Sequence, residues 1–136
     1  QALSGDTDAF VWVLFPFPIG PSQLLYSTYL GGIDADAGDS IQMHPNLTLS
    51  IGARSKSPDY PITVGAVRGR FWGQTDVCVT RLDGARPRTD QLLYSTYLGG
   101  SRFEVPLAIS TNRKGRTVVV GDARSIPAKT FATFGG

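Results

Sequence analysis

The sequence predicts an all-β fold assembled from repeated four-stranded units. Ten residues, QLLYSTYLGG, occur unchanged at positions 23–32 and again at 91–100. Short apolar runs alternate with Gly, Pro, Asn and Asp along the whole chain, which has 16 glycines and 9 prolines in 136 residues. Identity at a fixed spacing indicates a repeat architecture, and short runs bounded by turn residues indicate strands.

The repeat extends beyond the identical segment. Thr7 to Val11 (TDAFV) precedes Thr75 to Val79 (TDVCV) by the same interval that separates Gln23 from Gln91, which we call the repeat spacing. Downstream, residues 47–55 (LTLSIGARS) are echoed by residues 116–125 (RTVVVGDARS) with one or two residues of slippage. The same elements are therefore expected in the same order in both copies.

Alternation and enrichment in β-branched and aromatic residues predict eight strands. They are residues 9–15, 24–30, 40–44, 47–54, 76–82, 92–98, 105–111 and 116–123. Pro45-Asn46 and residues 112–115 are predicted as hairpin turns, and residues 55–74 as a long irregular loop. The pairs Gly31-Gly32 and Gly99-Gly100 are expected to adopt positive φ for a sharp exit from the strand.

With the four strand types labelled A to D, the chain is ordered C-D, A-B-C-D, A-B. Residues 33–100 are predicted as the complete unit, flanked by partial units at 6–32 and 101–136. Both faces of strand 24–30 carry apolar side chains, which is typical of a sheet between two others. Residues 131–136 are either a shortened third D strand or an unrelated ending.

The order of motifs resembles the SBBP (seven-bladed β-propeller) repeat family of bacterial proteins. The segment YSTYLGG is followed by an Asp/Gly loop, a short hairpin, SPDYPITVGAV (57–67) and TDVCVTRL (75–82). The family repeat has YSTYLGG, a G-D-D-type loop, a hairpin, S-x-D-F-P-T-T and D-A-F-V-A-K-L. The second copy departs from it at residues 103–106 (FEVP). The resemblance implies propeller blades in an exported or surface protein, and family members mostly lack a defined activity.

Two blades alone would expose large apolar faces, so something must cover them. The cover is a longer parent chain, other subunits of a complex, or self-association in which the A-B end of one copy completes the C-D start of the next. The charge balance is −5 over residues 1–50, +3 over 51–100 and +4 over 101–136, which fits a head-to-tail contact. A ring of two-blade chains has an even blade number, whereas the family name implies seven.

No catalytic or cofactor motif is apparent. Cys78 is the one cysteine, so an internal disulfide is excluded, and a buried inert thiol is expected. His44 is the one histidine and is interpreted as a turn residue; with a single Cys it cannot form a closed zinc site. Asp34, Asp36 and Asp39 are a weak calcium candidate, but Gly38 replaces a ligand position, so a structural loop is preferred. No 18-residue apolar stretch predicts a membrane span.

The predicted function is a non-enzymatic scaffold or protein-interaction module of a larger extracytoplasmic assembly, with no cofactor. Arg70, Phe71 and Trp72, in the long loop, are the predicted contact residues because loops on rigid scaffolds carry recognition. Scattered basic residues argue against nucleic-acid binding. The alternative is a carbohydrate-binding propeller whose tyrosines and tryptophans stack on sugars. Asn46 begins a glycosylation sequon, with a hairpin turn as its default interpretation.

Overall fold

A computed structural model describes residues 3–17, 20 and 23–125 and confirms an all-β fold. Its strands are β1 (Ala9–Leu14), β2 (Leu24–Leu30), β3 (Asp36–Met43), β4 (Thr48–Ser55), β5 (Asp76–Asp83), β6 (Leu92–Leu98), β7 (Glu104–Thr111) and β8 (Thr117–Ala123). One 3-10 turn, Arg88–Asp90, precedes β6. All eight predicted strands are present. Residues 131–136 lie outside the described residues.

The strands form three antiparallel sheets. Strands β3-β4-β5-β6 make one four-stranded sheet in sequence order, and β1-β2 and β7-β8 make two-stranded sheets before and after it. The predicted complete unit at 33–100 is therefore one continuous sheet. The predicted partial units contribute one strand pair each.

Strands β3 and β7 each contain a register shift that the sequence pattern did not predict. It lies between Gly38 and Ser40 in β3 and between Pro106 and Ala108 in β7, at equivalent positions of the repeat. A bulge adds a residue to one strand and breaks simple alternation. For this reason the sequence pattern missed the start of β3, which is Asp36 rather than the predicted Ser40.

The main core lies between the first and second sheets. Ala9, Val11 and Val13 from β1 form a single apolar cluster with residues of β4 and β5. The members from the second sheet and the loop are Leu49, Ile51, Ala53, Tyr60, Cys78, Leu82 and Tyr97. The opposite face of the second sheet packs on β7, where an added Cβ on Gly52 would lie 3.3 Å from Pro106 Cβ. The four-stranded sheet is thus covered on both faces, whereas the sheet that contains strand 24–30 has one exposed face.

The segment between β4 and β5 has no strand or helix over residues 56–74, in agreement with the predicted loop. It nevertheless contributes to the core. Tyr60 is buried, its hydroxyl lies 3.1 Å from Thr80 Oγ1, and its ring lies 6.1 Å from that of Tyr97. The loop therefore packs on the face of the four-stranded sheet at β5 and β6.

The expectation of positive φ at the two Gly-Gly pairs was wrong. Among the described glycines, only Gly20, Gly65 and Gly115 have positive φ. Leu47, in the β3–β4 turn, has a φ of 60° although it is not glycine. The Gly-Gly pairs are needed for a different reason, the close approach of buried carboxylates described below.

Candidate functional site

The junctions between successive sheets carry a hydrogen-bonded network that the chain repeats. Asp36 begins β3 and Glu104 begins β7 at the equivalent position, and both are buried. Asp36 Oδ2 accepts hydrogen bonds from the Gly32 amide (2.8 Å) and the Ser57 hydroxyl (2.7 Å). Glu104 accepts the equivalent bonds from the Gly100 amide (2.9 Å) and the Ser125 hydroxyl.

A second carboxylate completes each junction. The Ser4 amide donates to Asp8 Oδ2 (2.8 Å) and, one repeat later, the Trp72 amide donates to Asp76 Oδ2 (2.9 Å). A glycine of the repeated segment separates the two carboxylates. A Cβ on Gly31 would lie 2.4 Å from Asp8 Oδ1 and 2.7 Å from Asp36 Oδ2. A side chain at this position would therefore force the two carboxylates to shift.

The second junction is the same around Gly99. There an added Cβ would lie 2.6 Å from Asp76 Oδ1 and 2.9 Å from Glu104 Oε2. Burial raises the pKa of Asp76, the Trp72 amide and Arg68 oppose that rise, and Glu104 adds to it. Asp76 Oδ1 is buried without a hydrogen-bond partner. The network joins consecutive sheets and leaves two acids close together.

The three aspartates of the weak calcium candidate, Asp34, Asp36 and Asp39, have different surroundings. Asp36 is one of the buried junction acids. Asp39 lies 3.0 Å from the Arg54 guanidinium, and burial raises the Asp39 pKa more than Arg54 lowers it. Asp34 is exposed, and its amide donates a hydrogen bond to Ser57 Oγ (2.9 Å). In the described part of the chain, no group of three potential ligands converges on one point.

The predicted contact residues in the loop are placed differently from one another. Trp72 is 61 % exposed, and the Arg68 guanidinium lies 4.6 Å from its ring centroid, covering one face. Arg70 is exposed, whereas Phe71 is half-buried, with its ring 6.1 Å from that of Tyr97. Arg70 and Trp72 are thus available at the surface, and Phe71 packs inward.

His44 has a serine partner that the sequence did not reveal. Its Nε2 lies 3.2 Å from Ser50 Oγ, and the Thr111 hydroxyl donates to that same oxygen (2.9 Å). Ser50 is buried at the base of a cleft between the second and third sheets. Cys78 is buried as predicted, and burial raises its thiol pKa well above the ordinary value. A thiol with a raised pKa stays protonated and is therefore a weak nucleophile.

An exposed apolar surface covers the outer side of the first sheet, and we call it the β1 outer face. Phe10, Trp12 and Leu14 alternate with the core residues of β1 and are all exposed. Leu25 and Tyr29 of β2 add to the same side, since cross-strand partners share a face and Phe10 pairs with Tyr29. A contiguous apolar surface of this kind is a candidate contact site.

A cleft separates β2 from the second sheet. Tyr26, Tyr29, Arg88 and Gln91 are among its lining residues, and the Tyr26 hydroxyl donates to Gln91 Oε1 (3.4 Å). Burial raises the Tyr26 pKa, so its hydroxyl remains protonated near neutral pH. Aromatic rings, an amide and a guanidinium together can bind a polar ligand that has apolar faces.

The sequence analysis selected Arg70, Phe71 and Trp72 in the loop but did not identify the junction acids or the β1 outer face. The signal for the acids was available, because Asp8, Asp36 and Ser57 recur as Asp76, Glu104 and Ser125 at the repeat spacing. In comparisons with protein families, characterised proteins and solved structures, the chain matches none of them. Within residues 3–17, 20 and 23–125, no helix is long and apolar enough to cross a membrane.

Proposed function

We propose that this chain is a non-enzymatic scaffold module made of β-propeller blades and that it acts through protein contacts in a larger assembly. The observation that carries the proposal is the β1 outer face, where Phe10, Trp12 and Leu14 are exposed side by side. Soluble proteins rarely leave such a surface uncovered. The resemblance to the SBBP repeat supports an extracytoplasmic, bacterial setting.

The sheet topology supports the blade interpretation. Residues 33–100 form one four-stranded antiparallel meander, and its two faces pack on preceding and following sheets. Propeller blades have this strand order and are covered on both faces by neighbouring blades. The repeated junction network gives successive sheets the same connection, as a radial array requires.

A series of tandem repeats of residues 33–100 tests the blade proposal. Proteins with two to nine copies would be purified, and the free energy of unfolding and native mass would be measured for each. A propeller closes at one number of blades, so stability should rise sharply at that number, and the protein should be monomeric there. A stability that only levels off with copy number would indicate an open solenoid and would contradict the proposal.

A second candidate is carbohydrate binding in the cleft beside β2. The specific observation is the convergence of Tyr26, Arg88 and Gln91 on one cleft. Titration of a panel of neutral and acidic oligosaccharides, followed by calorimetry, tests this function. Binding that is lost in Arg88→Ala and kept in Arg86→Ala, an exposed neighbour outside the cleft lining, would favour it over the scaffold role.

A further inference from the structure

We propose that copies of this chain join head to tail, with β8 of one copy pairing along β1 of the next to complete a four-stranded sheet. The sheet would have the order β7-β8-β1-β2, with the first two strands from one copy and the last two from another. The inference rests on the blade proposal and adds the partner, a second copy, and the register of the contact.

Both strands have an open edge. Among the described residues β1 is hydrogen-bonded as a strand to β2, and β8 to β7, with no second partner for either. In the complete sheet the corresponding strands, β4 and β5, pair with each other. An unpaired edge is a template for another strand. The chain therefore carries both halves of a contact that it also contains in completed form.

The register of β4 with β5, shifted by the repeat spacing, gives one register for β8 of one copy with β1 of the next. Strands β4 and β8 are equivalent at the repeat spacing, since Asp36 pairs with Ser55 and Glu104 pairs with Ala123. Strands β1 and β5 are equivalent at the same spacing.

The transferred pairs are derived from pairs seen inside the complete sheet. Ile51 pairs with Thr80, and the residues at the equivalent positions of the repeat are Val119 of one copy and Trp12 of the next, which are therefore expected to pair. Similarly, Leu49 with Leu82 becomes Thr117 with Leu14, and Ala53 with Cys78 becomes Gly121 with Phe10. The proposed interface thus has a single predicted register.

Side-chain packing across sheets supports the same arrangement independently. Inside the chain, the Thr111 hydroxyl contacts Ser50 Oγ (2.9 Å) between the second and third sheets. The equivalent contact between the shared sheet and the next complete sheet places Val118 of one copy over Met43 of the next. Met43 is 62 % exposed and Val118 69 % exposed.

A buried polar contact inside the chain therefore corresponds to an apolar pair at the open ends. Ile41 and Val120, which neighbour that pair on their strands, are also exposed. Four exposed apolar side chains would be covered by one association. This is the composition expected at the centre of a protein interface.

Charge favours the same orientation. Residues 1–50 contain no Lys or Arg and five aspartates, of which Asp6 and Asp34 are exposed, whereas residues 101–136 contain six basic and two acidic residues. Head-to-tail contact brings the acidic part of one copy beside the basic part of the next, and head-to-head contact would oppose like charges. A heterologous contact that closes gives a ring. Propellers have about four to eight blades, so two to four copies of this 14.6 kDa chain would close one.

Native mass measured by size exclusion with light scattering gives the first test. We expect a discrete species of two to four times the chain mass for the unmodified protein. Met43→Glu or Val118→Lys alone should give monomer, and both substitutions in one chain should restore the assembly, because each interface then pairs opposite charges. Val64→Glu is the control, since Val64 is fully exposed in the loop, and it should leave the mass unchanged.

A disulfide tests the register in a Cys78→Ala background. Trp12→Cys with Val119→Cys should form a disulfide between chains on mild oxidation, because directly opposed residues have Cα atoms within disulfide reach. Trp12→Cys with Val118→Cys is the control and should not, since Val118 lies on the other face. A monomeric unmodified protein, or equal crosslinking in both variants, would overturn the head-to-tail pairing. Neither outcome affects the tandem-repeat test of the blade proposal.

Discussion

The repeated segment occurs twice with the same sequence and in two different surroundings. Tyr29 in β2 is 41 % exposed, whereas Tyr97, the same position in β6, is fully buried. Ser27 is exposed and Ser95 buried. On the opposite face the difference is reversed, since Tyr26 is buried and Tyr94 half-buried.

The difference arises from the neighbours of each strand and from nothing within it. One face of β6 is covered by the first sheet and by Tyr60 and Phe71 of the loop, whereas the corresponding face of β2 has no sheet against it in the described structure. The other face of β2 packs on the second sheet, and that of β6 meets a third sheet of only two strands. Ten identical residues thus specify a strand and its turn, and their burial depends on the sheets that lie before and after them.

The largest expected difference between the two copies is in the loss of stability when each tyrosine is replaced. Tyr97→Ala removes a buried ring next to Tyr60 and Phe71, together with a hydrogen bond from its hydroxyl to the Ser57 carbonyl (2.7 Å). We expect a loss of about 3–5 kcal/mol in the free energy of unfolding. Tyr29→Ala should cost less than about 1 kcal/mol. Urea titrations followed by circular dichroism measure both.

These titrations belong in the Met43→Glu background, so that association does not cover Tyr29. Repeating them on the associating protein sharpens the test. If the cost of Tyr29→Ala rises when the protein is assembled, the β1 outer face is covered by another copy. Equal costs for the two tyrosines in the dissociated protein would contradict the difference in burial.

The glycines of the same segment should show no such difference. Gly31→Ala and Gly99→Ala both place a methyl group within 2.4–2.9 Å of two carboxylate oxygens. We expect each to destabilise the protein by about 1–3 kcal/mol, the range for overpacking. Gly69→Ala is the matched control, because no atom lies within 4 Å of its added Cβ. A loss for only one of the two would mean that the junctions are not equivalent.

The acid beside the second glycine should give a smaller, pH-dependent effect. The folded-state pKa of Asp76 is raised, so its protonation favours the folded protein below the ordinary value of 3.8, and this contribution is lost as pH rises through the raised value. Asp76→Asn should therefore gain stability relative to the unmodified protein as pH rises through that window. Urea midpoints measured from about pH 3 to 8 give the difference.

If stability changes with pH in the same way in Asp76→Asn and in the unmodified protein, the prediction is contradicted. Asp90→Asn, an exposed carboxylate in the turn before β6, controls for the change in net charge.

The smallest expected effect concerns a contact that only the second copy has. Arg68 lies over the Trp72 ring and donates to the Gly99 carbonyl, and the position equivalent to Trp72 in the first copy is Ser4, which has no ring. A double-mutant cycle with Arg68→Ala and Trp72→Leu should give a coupling of about 0.5–1 kcal/mol, the range for an exposed cation–π pair. A coupling near zero would assign Arg68 to the carbonyl alone.

The sequence was sufficient to predict strands, because strand formation depends on local alternation and on turn residues. Both copies of the repeated strand were predicted at 24–30 and 92–98, and these are their observed bounds. The start of β3 was missed because Gly38 and the following bulge interrupt the alternation. Asp36 was interpreted as a loop residue for the same reason.

The junctions could not be predicted from composition because their members are far apart in the chain. Asp36, Ser57 and Gly32 meet only after the loop 56–74 has folded over the sheet. The prediction of positive φ at the Gly-Gly pairs was wrong, because these glycines permit the close approach of carboxylates rather than an unusual backbone conformation. For the loop residues, exposure of Trp72 and burial of Phe71 depend on the position of Tyr97, which no local pattern contains.

The identity of β2 and β6 also has a consequence for how the chain folds. The edge of β1 that receives β2 would accept β6 equally well, and β5 would accept β2, because the competing strands are the same polypeptide segment. Only loop length distinguishes them: β5 and β6 are separated by the short segment 84–91, and a short loop closes with less loss of entropy than a long one. Correct pairing is thus selected by the order of loop closure, and refolding at high concentration should exchange these strands between molecules.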